Sequence, residues 1–160
     1  ATTEIYTLSL NDALPIWKYI KELWCEAPGT STNPRLSKEI LDEGKHLPYM
    51  NGREVFKNAI VRFPQVIQEA LDTNNLTIDD VAQIIPHQAN NRISEAVARR
   101  MGVDMDKVFS NIKHYGNTTA ASIPIAMCDA RDKGLFGPDD IIILAAFGAG
   151  FTWASAAIRW

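Results

Sequence analysis

The chain has 160 residues, 46% of them hydrophobic and 22% charged, a balance that suits one soluble globular domain with a real core. Its formal net charge of −3 argues against a nucleic-acid binder, and its longest apolar run, Ile141 to Phe147, is strand-sized and far short of a membrane span. Only Cys25 and Cys128 carry thiols, too few for a disulfide framework, and with no cleavable signal apparent the reading is a reducing, cytoplasmic setting.

Ser9 to Ile16 lacks periodicity, contains the helix breaker Pro15 and resembles the translation of a sequencing adapter. Residues 1–17 are therefore read as a non-native or disordered leader. Residues 18–52 are loop-rich, punctuated by Pro28, Gly29, Pro34, Gly44, Pro48 and Gly52, with room only for a short helix near Ser37–Glu43. Such long excursions in compact domains are usually functional or disordered.

From Arg53 onward, Val55, Phe56, Ala59, Ile60, Phe63, Val66, Ile67, Ala70 and Leu71 recur at helical spacing, and Pro64 is expected to kink or divide that helix. Thr77 followed by Asp79 and Asp80 predicts a short helical turn. A strand over Gln83–Pro86 leads into a helix over Asn90–Met101, which Gly102 stops. Val108–His114 reads as another strand. Thr118–Lys133 reads as a helix that Pro124 forces to start late or bend. Ile141–Phe147 and Thr152–Trp160 form a strand pair, antiparallel across the turn Gly148-Ala149-Gly150. Strands alternating with helices predict an α/β layered domain over 53–160.

Polar residues cluster at strand ends in Pro86-His87-Gln88-Ala89-Asn90, in His114-Tyr115-Gly116-Asn117-Thr118-Thr119, and in Phe147-Gly148-Ala149-Gly150-Phe151. Taken singly, each has a plain explanation. A strand-end His is more often structural than catalytic, Asn after Gly is a common turn residue, and Gly-Ala-Gly is usually only a turn. None shows metal-ligand spacing, and the glycines do not fit a phosphate loop.

Together and in this order, PHQAN at 86–90, YGNTTAAS at 115–122, AFGAGFTWAS at 146–155 and MNGREVFK at 50–57 resemble the beta-ketoacyl-[acyl-carrier-protein] synthase III family. The resemblance runs from about residue 18 to Trp160 and implies an α/β, thiolase-like fold, present as its C-terminal half. It further implies a decarboxylative condensation that starts fatty-acid synthesis, in which an acyl-CoA primer is joined to malonyl-ACP. In that chemistry His87 and Asn117 are uncharged hydrogen-bond donors to the developing enolate, and the backbone of Phe147, Gly148, Ala149 and Gly150 supplies an oxyanion hole. Many relatives carry three glycines in that turn, so Ala149 is expected to exclude backbone angles open only to Gly.

The family's nucleophilic Cys belongs to an N-terminal half that these residues do not include. Cys25 has no nucleophile motif around it, and Cys128 reads as packing inside an apolar helix. The chain alone is thus expected neither to load acyl groups nor to condense them, and to expose apolar surface that makes it self-associate. By the same resemblance the pantetheine arm passes Gly52, Phe56 and Asn90, and acidic acyl carrier protein docks on Lys57, Arg92, Arg99 and Arg100. Arg100 falls within an apolar stripe and would have to snorkel. No metal or resident cofactor is implied, and the full-length enzyme is expected to be a homodimer. Two rivals stand beside this reading: a polyketide-type synthase of the same fold, and a non-catalytic carrier-binding module.

Overall fold

The computed structural model describes residues 4–9, 16–30 and 33–160; most of the adapter-like run, residues 10–15, lies outside them. In chain order the elements are β1 (Glu4–Ser9), β2 (Leu23–Trp24), α1 (Lys38–Asp42), β3 (Tyr49–Met50), α2 (Gly52–Thr73), β4 (Val81–Pro86), α3 (Asn91–Met101), α4 (Ile112–Tyr115), α5 (Ser122–Asp132), β5 (Ile141–Gly148) and β6 (Thr152–Arg159). Strands β1, β6, β5 and β4 form a four-stranded mixed sheet in that order, and β2 pairs with β3. Of the strand pairs among the described residues only β4 and β5 run parallel, so a helical crossover has to join them; α3, α4 and α5 lie in that connection.

Ile141, Ile142 and Ile143 are all buried, as expected of a strand covered on both faces. Ile143 packs with Phe63, Val66, Ile67 and Val97 from α2 and α3. Ile142 packs with Ile85, Ala126, Ala130 and Phe136 on the α5 side. The sheet is therefore sandwiched, with helices on both faces. The cluster against α2 includes the fully buried Phe63, a side chain whose burial is worth about 1.5–3 kcal/mol.

Pro64 does not divide its helix. α2 runs unbroken for 22 residues, with Asn51 as its N-cap accepting from the Glu54 N–H at 3.4 Å. Its buried stripe, Ala59, Phe63, Val66, Ile67, Ala70 and Leu71, lies on both sides of the proline. Packing of that stripe on the sheet outweighs the roughly 3 kcal/mol a mid-helix proline costs. Pro124 is harmless for another reason. α5 starts late, at Ser122, so Pro124 falls in its first turn, where N–H groups have no intrahelical partner.

Val108–His114 is not a strand. Val108 makes a single parallel bridge to Ile84, the Phe109 N–H reaches the Ile84 carbonyl at 2.9 Å, and the chain then coils into α4. The diversion occurs at Asn111, whose backbone and side chain are both taken by partners outside any ladder. Cys128 is exposed rather than packed. The buried positions of α5 are Ser122, Ala126 and Ala130, four apart, which puts Cys128 on the other side of the helix. Arg100 is likewise exposed, and α3 buries Ile93, Ser94, Ala96, Val97 and Ala98 instead.

Candidate active site

His87 follows directly on β4. Its N–H donates to the Ala145 carbonyl at 2.8 Å, which extends the parallel ladder one residue and fixes the backbone under the imidazole. The half-buried ring places Nδ1 2.6 Å from Ser122 Oγ, and the same oxygen accepts the Gln88 N–H at 3.2 Å. A hydroxyl has one proton. The Ser122 oxygen also has two lone pairs, so besides the Gln88 N–H it can either accept from Nδ1–H or send its own proton to Nδ1. In the second arrangement Nε2 carries the ring hydrogen; burial pushes the His87 pKa below its ordinary value of 6.5, favouring the neutral ring.

Asn117 is fixed by a different device. Gly116, at φ 68° and ψ −160°, turns the chain out of α4 in a conformation essentially reserved for glycine. The Asn117 Oδ1 then accepts the Thr119 N–H at 2.9 Å, an Asx turn that occupies the oxygen and leaves the NH2 group to donate elsewhere. Thr119 itself is left-handed, at φ 53°, an uncommon state for a β-branched residue.

Both side chains open on one cavity of about 920 Å³, whose walls also include Phe147, Gly148 and Ala149, with Leu23, Ile123 and Trp153 as apolar lining. Ala149 is not among the residues of left-handed φ, so the turn needs no glycine at its centre. Thr152 Oγ1 steadies the turn by donating to the Ala149 carbonyl at 2.9 Å. Gly150, at φ 134°, does not line the cavity. Neither Cys25 nor Cys128 lines it either. Among the described residues no group of His, Cys, Asp and Glu is placed to hold a metal, and no helix is long and apolar enough to cross a membrane.

The remaining predicted residues gather elsewhere. The Arg92 guanidinium lies over the Phe56 ring, 5.5 Å from its centroid, and Asn90 caps α3 by accepting the Arg92 N–H at 3.0 Å. Phe56, Asn90 and Arg92 are thus neighbours, outside the cavity walls. Lys57 pairs with Glu54 at 2.8 Å. Arg99 and Arg100 lie exposed in the last turn of α3.

Ser122 and Leu23 escaped the sequence reading. Ser122 closes the YGNTTAAS motif, and its position as the first residue of a helix following that motif was the available signal. Leu23 sits on a two-residue strand with no periodicity to mark it.

A mixed sheet covered by helices on both faces, with a strand-end His and an Asn delivered by a short helix opening on one cavity, is the C-terminal half of a thiolase-like fold. Solved structures superpose on it closely. Beta-ketoacyl-[acyl carrier protein] synthase III from Thermus thermophilus is 37% identical with a TM-score of 0.82, covering 98% of this chain and 46% of that one. 3-Oxoacyl-[acyl-carrier-protein] synthase III from Aquifex aeolicus VF5 is 32% identical with a TM-score of 0.77, covering 99% and 43%. The beta-ketoacyl-[acyl-carrier-protein] synthase III of Roseiflexus sp. (strain RS-1) is 49% identical over 122 residues, 76% of this chain and 37% of that protein. That of Clostridium tetani is 44% identical over 144 residues, 86% and 43%. The family model described as 3-oxoacyl-[acyl-carrier-protein (ACP)] synthase III C terminal matches residues 71–160, more than half of the chain. The chain belongs to the beta-ketoacyl-[acyl-carrier-protein] synthase III family, within its C-terminal region. It spans less than half the length of these curated relatives.

Proposed function

We propose that these residues form the decarboxylating side of an active site that condenses an acyl-CoA primer with malonyl-ACP, the opening condensation of fatty-acid synthesis. The observation that carries the reading is the opening of His87 and Asn117 on one cavity, beside the backbone of residues 147–149. In the malonyl thioester the bond to the carboxylate breaks, carbon dioxide leaves, and the electron pair becomes an enolate with its charge on the thioester oxygen. His87 Nε2–H and the Asn117 NH2 group donate to that oxygen. Each preorganised donor of this kind is worth about 3–4 kcal/mol of barrier. Both must be neutral, because a carboxylate at either place would repel the enolate. The enolate carbon then attacks the acyl thioester of an enzyme cysteine, the turn at 147–150 donates N–H groups to the oxyanion formed there, and collapse expels the thiolate.

Since neither Cys25 nor Cys128 reaches the cavity, the acyl-accepting thiol comes from outside these residues, and the chain by itself neither loads nor condenses. The thioesters are substrates, and no resident cofactor takes part. The pantetheine arm runs past Gly52, Phe56 and Asn90, a course supported by the proximity of Phe56 and Asn90 to Arg92. The acidic carrier docks on Arg92, Arg99 and Arg100, with Lys57 joining once its surface pair with Glu54 is displaced. The working enzyme is a cytoplasmic homodimer.

The test is to fuse residues 18–160 behind the N-terminal portion of the Roseiflexus relative and to follow carbon dioxide release from malonyl-ACP. The fused enzyme is expected to condense, the unfused chain to give no product, and His87→Ala in the fusion to slow decarboxylation by roughly 10²–10³-fold. Undiminished decarboxylation by the His87→Ala enzyme would refute the proposal.

A further inference from the structure

The segment that delivers Asn117 to the cavity rests on α4, a helix of four residues. A helical turn that short does not persist by itself, because nucleation costs more than one turn of hydrogen bonds returns. It is held at both ends by one carboxylate. Asn111, the residue that opens α4, donates through Nδ2 to Asp129 Oδ2 at 3.0 Å. Tyr115, the last residue of α4, donates its hydroxyl to Asp129 Oδ1 at 3.3 Å. Gly116 and Asn117 come next.

The same assembly reaches His87. Asn111 also donates its backbone N–H to Gln88 Oε1 at 3.0 Å, and the Gln88 Nε2 donates to the Pro86 and Phe109 carbonyls at 2.6 and 3.3 Å. Gln88 and Asn111 are both 2% exposed, so these bonds have no water to compete with them. Asp129 stands seven residues beyond Ser122 on α5, about two turns along the same side of the helix. One helix therefore supplies the hydroxyl that meets the His87 ring and the carboxylate that staples the carrier of Asn117.

We propose that Asp129 is a positioning residue which, by stapling both ends of α4, sets where the Asn117 amide stands relative to the His87 imidazole. The raised pKa of the Tyr115 phenol, caused first by the neighbouring Asp129 charge, agrees with that contact. The inference rests on the reading of Asn117 as an enolate donor, and the experiment separates the two.

In the fused enzyme, Asp129→Ala is expected to lower malonyl-ACP decarboxylation by roughly 10- to 100-fold in kcat, the scale of a misplacement near 1 Å, with KM within about twofold. Loading of the primer onto the thiol uses neither donor and stays within about twofold. Tyr115→Phe removes one arm of the staple at an exposed position and is expected to give the same split at about threefold. Asp129→Asn keeps an acceptor for Tyr115, lets the Asn111 amide turn over, and retains most of the rate. An equal loss in loading and decarboxylation, or no loss in either, overturns the proposal. Should the unsubstituted fusion release no carbon dioxide, the reading of His87 and Asn117 fails instead. The staple is then read on the chain itself by nitrogen-15 relaxation of the Asn117 side-chain amide. That amide is expected to gain motion in Asp129→Ala and not in Asp129→Asn; equal order in both variants overturns the proposal.

Discussion

The role proposed for His87 needs its ring hydrogen on Nε2, which holds when the Ser122 hydroxyl donates to Nδ1 while accepting the Gln88 N–H. Ser122→Ala removes that donor, and a fraction of the imidazole then presents a lone pair instead of Nε2–H. Decarboxylation by the fused enzyme is expected to fall on the order of tenfold or more, with little change in primer loading. A second prediction follows from the lowered His87 pKa, whose cause is burial. The folded state binds fewer protons than the unfolded chain once pH drops below the ordinary 6.5. The stability this group contributes is complete above that value and is lost as pH falls toward the lower folded pKa. Urea midpoints should therefore decline from pH 7.5 to 5.5, by less in His87→Gln, and the acid limb of decarboxylation should lie below 6.5. A limb above that value would contradict the neutral-donor assignment. At this scale His87 and the 147–150 turn were legible because each marks a strand end with a polar or small residue, whereas Asn117 stood out after an expected strand that is in fact the helix α4. Ser122 and Asp129 were not, because they act through other side chains and only the fold shows what they touch.

Among the elements, those with a strong period or a clear stop were legible: the α2 stripe, the Asn90 cap and Gly102 stop of α3, and the β5–β6 pair. The errors have physical causes. Pro64 is by itself a helix breaker, but the buried stripe on either side of it holds the helix together. Val108 and Phe109 promised a strand, yet Asn111 bonds to Gln88 and Asp129 and turns the chain into α4 instead. β2 and β3, two residues each, carry no period at all. The exit from α4 supplies the prediction at this scale. Nothing stands within 4 Å of a Cβ built on Gly116, so Gly116→Ala creates no clash, yet its φ of 68° remains strained for alanine. A loss of about 1–3 kcal/mol in urea unfolding is expected, together with displacement of Asn117 and slower decarboxylation. Full stability in Gly116→Ala would show that the loop adopts another path.

For the whole molecule, Leu36, Leu41, Leu47, Tyr49 and Met50 are all large, apolar and exposed, and all lie within one stretch of the loop-rich segment. Exposed apolar side chains of that size favour association where they adjoin. The chain alone is expected to sediment as concentration-dependent oligomers and to bind a hydrophobic dye. A clean monomer without dye binding would count against this. Sequence motifs foretold the layered α/β architecture and led to the expectation of exposed apolar surface, whereas which side chains are exposed could be recognised only in the folded chain.

A double-substitution cycle on malonyl-ACP decarboxylation tests the central claim most directly, with His87→Ala, Asn117→Ala and the pair compared in the fused enzyme. If the imidazole and the carboxamide hold one and the same oxygen, each single change should cost roughly 10²–10³-fold and the pair well under the product of the two. Losses that multiply as for independent sites, or a single change that leaves the rate intact, would contradict the account.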